Sequence, residues 1–265
     1  MRGQGFKGAM NKKLMRHVAA ATALRLPGHY RALFLGDATV GYVTPALAAQ
    51  LVTFGARTKP EGVAVADAAS LTRCAAALAE AGVYRVRGEA FDVRSTPGGP
   101  VLAQVDRGAL PCLGIAAEGV HVNGLVRGPA GWSLWVAQRA ATKALDPGKL
   151  DHIVAGGICA GMDAAETLVK EAAEEAGVPA ALARQARQAG VISYATERPE
   201  GLRRDRLYCY DLELPADFVP VARDGEVERF TLMPLADVVQ LVEETDAFKF
   251  NVNLVLIELF ERLDR

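Results

Sequence analysis

The stretch from residue 156 to 178, GGICAGMDAAETLVKEAAEEAGV, gathers three glutamates in the second half of an alanine-rich segment and brackets that segment with glycines. Asp163 followed by Glu166 reads as a capping pair: the aspartate oxygen accepts from free amides of a first helical turn, and the glutamate reaches back. Gly177 suits the left-handed position that ends a helix, and Pro179 cannot continue one, so the spacing predicts a helix over 164–176. Projected at about 100° per residue, Glu171, Glu174 and Glu175 share one sector, while Ala165, Val169, Ala172, Ala173 and Ala176 line the opposite side. Like charges three and four residues apart repel, and these also sit near the negative end of the helix dipole. The arrangement costs stability unless a cation occupies it, and a divalent ion with oxygen preference offsets the cost. A solvated acidic face is the competing reading.

The glycines ahead of the helix shift that balance. AGGICAG supplies a loop that lets backbone approach a ligand closely, beside helix-start amides that favour anions, so Gly156 and Gly157 are candidate phosphate contacts. Carboxylates for a metal next to a phosphate-tolerant loop point to diphosphate chemistry.

The rest of the chain sets the frame. Its 265 residues, 51% hydrophobic, suffice for one large or two modest domains. A net charge of −1, with both signs interspersed, advertises neither nucleic acid nor a membrane surface as partner. Cys74, Cys112, Cys159 and Cys209 are too scattered for a disulfide framework or a structural zinc site, which fits a cytoplasmic location. No apolar run approaches the roughly 20 residues a membrane helix needs. The basic, acid-free start reads as a helix, with a cleaved amphipathic presequence as the alternative.

NKKLMRHVAAATAL and DAASLTRCAAALAEAG carry helical patterns, while RALFLG, VGYV and VYRVRGEAFDV look extended, so residues 1–111 read as a small α+β unit without a catalytic constellation. From 112 to 265 the texture changes. AEGVHVNGLVRG, GWSLWVAQR, DHIVAGG, GVISYATE, RLYCYDLELP and EVERFTLM read as strands, with PLADVVQLVEE and NVNLVLIELFERL as closing helices. This order predicts an α/β fold, a mixed sheet sandwiched between helices.

KEAAEEAGV matches the second half of the box G-x5-E-x7-R-E-U-x-E-E-x-G-U, U being aliphatic, that marks the Nudix hydrolases, and the chain resembles that family. Lys170 stands where the box has arginine. Met162, or Asp163 in a loop one residue shorter, stands where it has the first glutamate. GVHVNGLVRG, RAATKALDPGKLDHIVAGG, YDLELPADFVP, DGEVERFTLMPL and FKFNVNLVLIELF extend the likeness to the subfamily related to thiamine-pyrophosphokinase-associated proteins, which carry an extra N-terminal domain. The resemblance implies a Nudix α/β/α sandwich and Mg²⁺-dependent hydrolysis, with Mn²⁺ as a substitute, of a diphosphate linked to another group, thiamine diphosphate or its damaged analogues among the candidates. Glu171, Glu174 and Glu175 then hold metal, and Glu174 or Glu175 takes the proton from the attacking water. Two other classes stay open: a non-catalytic diphosphate-binding module, and an isomerase-like enzyme acting on isopentenyl diphosphate, which requires a strand cysteine.

Nudix sites commonly recruit a later carboxylate, and RDGEVERF offers Asp224, Glu226 and Glu228, of which Glu226 is favoured. Arg139 and Lys143 are candidates for phosphate charge, and Lys170 for orienting the glutamates; solvated surface is the competing reading of each. Trp132, Trp135, Tyr208 and Tyr210 read as core. Asn251, ahead of the last helix, is a cap or a substrate contact. The N-terminal unit is expected to shape substrate choice or to form a homodimer.

Overall fold

The computed structural model describes residues 12–143, 145–223 and 225–263. Asp224 and the basic residues 1–11 lie outside them. The first half runs α1 (Lys12–Thr22), β1 (Arg31–Leu35), β2 (Ala38–Val43), α2 (Pro45–Thr53), β3 (Arg57–Lys59), β4 (Gly62–Val65), α3 (Ala68–Glu80), β5 (Ala90–Val93), β6 (Ala103–Asp106) and α4 (Ala109–Leu113). The second runs β7 (Ala116–Gly128), β8 (Gly131–Arg139), β9 (Leu150–His152), β10 (Val154–Gly157), α5 (Ala164–Ala176), α6 (Ala180–Ala183), β11 (Arg187–Arg198), β12 (Gly201–Glu213), β13 (Val227–Pro234), α7 (Leu235–Glu244) and α8 (Val252–Leu263).

In the first half a four-stranded sheet, ordered β2-β1-β4-β3, and the β5–β6 hairpin share a hydrophobic cluster with α2 and α3 that includes Leu33, Leu51, Leu71 and Leu78. Thr44 caps α2 through its side chain and Pro45 fills the first turn, a start signal the sequence carries. Residues 83–89, expected as extended, form a loop. The amides of Arg87 and Gly88 donate to the Asp106 carboxylate at 2.9 and 2.7 Å, satisfying backbone donors that a strand would have spent on a ladder.

The second half is a seven-stranded mixed sheet with the path β11-β12-β7-β8-β13, in which β7 and β12 run parallel. Alternation along the strands explains the layers. Val120, Val122, Trp135, Tyr210 and Leu212 face α5, while Leu125, Leu134, Val136, Leu207 and Cys209 face α7 and α8. The result is the expected sandwich of helices on both sides of a sheet. Helix α1, placed by sequence in the unit 1–111, packs Leu14, Val18 and Ala21 into the cluster formed by α7 and α8. No helix among the described residues is long and apolar enough to cross a membrane.

One irregularity of this sheet positions the site. Strands β7 and β8 pair only from Gly124 to Gly128 and from Gly131 to Trp135. Beyond that they diverge: the first part of β7 takes β10 as partner, and the last part of β8 takes β9. DHIVAGG, expected as one strand, is therefore two, broken at Ile153, whose side chain fills the divergence against Gly124. A Cβ at residue 124 would stand 2.8 Å from that isoleucine, so only glycine fits.

Candidate active site

Helix α5 spans Ala164–Ala176, as the sequence predicts, and its ends show why. The Asp163 side chain accepts from the Glu166 amide at 2.8 Å and the Glu166 side chain accepts from the Asp163 amide at 3.1 Å. Gly177 closes the helix with φ +65°. The projected faces need correction in one respect. The buried residues are Thr167, Leu168, Ala172, Glu175 and Ala176, with Ala165 outside them. Glu175 is thus part of the packed face, only 8% exposed, and its Oε2 accepts from the Ala155 amide at 2.8 Å.

This burial separates the three glutamates. Glu174 is exposed and pairs with Lys170 at 2.7 Å; Glu171 is half-buried and pairs with the same ammonium at 3.0 Å. The Glu174 hydrogen bond is the foremost reason the Lys170 pKa is raised. Lys170 therefore bridges two carboxylates. Glu175 has no salt bridge among the described residues, and its pKa is pushed well above the ordinary value by burial and then by the charges of Asp151, Glu171 and Glu226, against the opposing Ala155 hydrogen bond. Gly156 permits the approach of Glu171: a Cβ there would stand 2.4 Å from the glutamate side chain. Gly157 instead packs against the ring of Phe91 from β5.

Glu175 opens into a cleft beside β9 and β10, where β7 and β8 diverge, and its lining includes Arg139, Lys143, Asp151, His152, Ala155 and Glu226. Glu226, just ahead of β13, pairs with Lys143. Burial would raise its pKa, but Lys143, with Arg107 and Arg139 beyond it, holds it below the usual glutamate value. Glu228, two residues on, is exposed and absent from the lining. Arg139 reaches the cleft but spends its donors on the Leu145 and Asp146 carbonyls and on Asp151, at 2.7 to 3.2 Å. Asn251 is buried elsewhere: its amide donates to the Tyr194 hydroxyl at 3.3 Å, so it neither lines the cleft nor contacts the other candidates. Trp135 and Tyr210 are buried, as expected for core.

Beneath the cleft lies a polar network that sequence reading did not single out. Asp151, 4% exposed, accepts from Arg139 at 2.8 Å and from Lys249 at 3.5 Å. Burial alone would raise its pKa, but Lys249, His121, Arg139 and His152 outweigh that and lower it. His152 and His121 meet through their Nδ1 atoms at 2.9 Å. Burial, opposed by Asp151 and helped by Lys249, brings His152 down to about 4. His121, Asp151 and His152 place ligand atoms within 4.8 Å of one another. Yet the carboxylate already faces two cations, which makes an additional metal ion there unfavourable. The signals were present as the Asp-His pair opening DHIVAGG and the lone lysine in FKF.

A family model described as NUDIX domain matches residues 118–253, which hold most of β7, all of α5, Glu226 and the network. The chain belongs to the Nudix family. Among relatives, it is 40% identical over 229 residues to Nudix hydrolase 20, chloroplastic, of Arabidopsis thaliana, covering 85% of this chain and 58% of that protein. It is 42% identical over 177 residues to Nudix hydrolase 24, chloroplastic, of the same plant, covering 67% and 48%. This Nudix chain thus spans about half the length of these relatives. Among solved structures, DR0079 of Deinococcus radiodurans superposes with a TM-score of 0.50 at 20% identity, over 64% of this chain and 98% of that one, which shows the shared fold.

Proposed function

We propose that this Nudix chain is a divalent-metal-dependent pyrophosphohydrolase cleaving a diphosphate linked to another group. The observation that carries the reading is Glu175: a buried carboxylate, opposed by three like charges and lacking a cationic partner among the described residues, beside Glu171 and across the cleft from Glu226. A donor set of oxygens with excess negative charge fits Mg²⁺ or Mn²⁺, with Glu171, Glu174, Glu175 and Glu226 as ligands. When bound, the ion supplies charge neutralisation at phosphoryl oxygens and acidifies water. The chain's own residues do the rest. Lys170 fixes Glu171 and Glu174, Lys143 balances Glu226 and offers an ammonium to phosphate, and Glu175 or Glu174 accepts the proton of the attacking water.

The subfamily resemblance supports thiamine diphosphate or its damaged analogues as substrate. No cysteine lines the cleft, and burial pushes the Cys209 thiol up to about 12, so nothing here supports isomerase chemistry. The test is phosphate or monophosphate release from a panel of diphosphate compounds with Mg²⁺, Mn²⁺ or chelator. Release that depends on the metal is expected; a panel inert with both metals counts against hydrolysis.

A further inference from the structure

The β5–β6 hairpin belongs to the half of the chain that precedes the Nudix match, yet it is built onto the glycine loop. The Ala160 amide donates to the Ala90 carbonyl at 2.8 Å, and the Phe91 ring packs on Gly157, where a Cβ would stand 2.6 Å from it. Ala155 and Gly157 point to the same side of β10, because alternate residues of a strand share a face. Ala155 lines the cleft. Phe91 therefore stands beside that opening.

Arg107, at the end of the hairpin, lies over Phe91, its guanidinium carbon 5.7 Å from the ring centre. It pairs with Glu89 through one nitrogen at 2.8 Å, is half exposed, and makes no other side-chain hydrogen bond among the described residues. Arg139 is committed to Asp151 and two carbonyls and Lys170 to two glutamates, while Lys143 pairs with Glu226 and keeps donors for phosphate. A dianionic diphosphate entering among four carboxylates needs cationic donors that are still open, and a guanidinium with one free edge offers a planar pair of them.

We propose that Arg107, presented by the β5–β6 hairpin on Phe91, binds the anionic group of the substrate at the mouth of the cleft, so that the segment preceding the Nudix match completes the substrate site. The assignment rests on the diphosphate reading above. It gives the first half of the chain a direct part in recognition, as a specificity element and not as a participant in bond cleavage.

The test uses the whole protein with Mg²⁺ and methylenediphosphonate, a diphosphate analogue whose P–C–P bridge resists hydrolysis, titrated by calorimetry. Arg107→Ala is expected to weaken binding about tenfold, Arg107→Lys to recover part of it, and Glu89→Gln, which leaves the guanidinium in place and frees its second edge, not to weaken it. With an active substrate the same Arg107→Ala change raises KM and leaves kcat nearly unchanged. Unaltered affinity in Arg107→Ala overturns the assignment while the diphosphate site stands. Equal weakening by Glu89→Gln overturns it as well, since the ion pair would then be only structural. Wild-type protein that fails to bind the analogue overturns the site reading and this inference with it.

Discussion

Asp151 and Glu175 are two buried carboxylates lining one cleft, and they differ in the partners they meet. Asp151 is met by Arg139 and Lys249 and is held ionised below the usual aspartate range. Glu175 is met by one backbone amide and by like charges, and its pKa is driven upward. A buried charge with its counter-charge built in holds a fold together; a buried carboxylate without one stores an electrostatic cost that a ligand can relieve. Burial does not distinguish the two groups, and the identity of the partners does.

The sharpest way to break this comparison is to remove each charge in turn. Glu175→Gln is expected to lower kcat by roughly 10²–10⁴-fold, the range of a lost general base, while the protein stays folded. Because the folded, metal-free state resists ionising Glu175, the unfolded chain binds fewer protons above the ordinary glutamate range, and stability from this group falls as pH rises. The variant should therefore melt higher than the parent in chelator at neutral pH, and should lose the Mg²⁺-induced rise in melting temperature. A parent-like metal response together with parent-like turnover places the site elsewhere.

Asp151→Asn tests the opposite member. It leaves Arg139 and Lys249 buried with a neutral partner, and breaking a buried pair from one side costs about 3–5 kcal/mol. Urea unfolding should show a loss of that order, and a change under 1 kcal/mol would mean that the network contributes little to the fold. The smallest effect concerns the histidine beside it. The His152 pKa is down to about 4 in the folded state, against about 6.5 when unfolded. The unfolded chain therefore takes up more protons as pH falls through that window, so this contribution is full above pH 6.5 and is lost towards pH 4. His152→Gln should flatten the acid slope of the melting temperature between those values, and an unchanged slope assigns it to other groups.

The same contrast explains what could be read from the sequence. Helix α5 was legible to its last residue because its ends are fixed by local chemistry: Asp163 and Glu166 at one end, Gly177 at the other. The mixed sheet and its flanking helices were legible from alternation and amphipathic spacing, and the acidic cluster from the box. Helical projection put Glu175 on the solvent side with Glu171 and Glu174. It cannot see the Ala155 amide, 20 residues back on β10, that draws the carboxylate inward. Nor does any local pattern disclose that Asp151 meets Lys249, or that Arg139 is spent on carbonyls of its own loop before a phosphate arrives. Residues 83–89 misled for a related reason: their amides found the Asp106 carboxylate and needed no neighbouring strand.

The divergence of β7 and β8 has a consequence for how the molecule comes into being. Centre strand β7 gains its parallel neighbour β12 only when Gly119 meets Leu207, and Asp151 gains Lys249 across a separation of 98 residues. Contacts so distant in the chain form after a large loss of chain freedom. An N-terminal stretch that has left the ribosome as far as α7 already contains every glutamate of the cleft but not the lysine that balances the floor beneath it. The segment that follows α7 is thus a keystone: the glutamates of the cleft come first along the chain, and the lysine that balances the charge beneath them comes after.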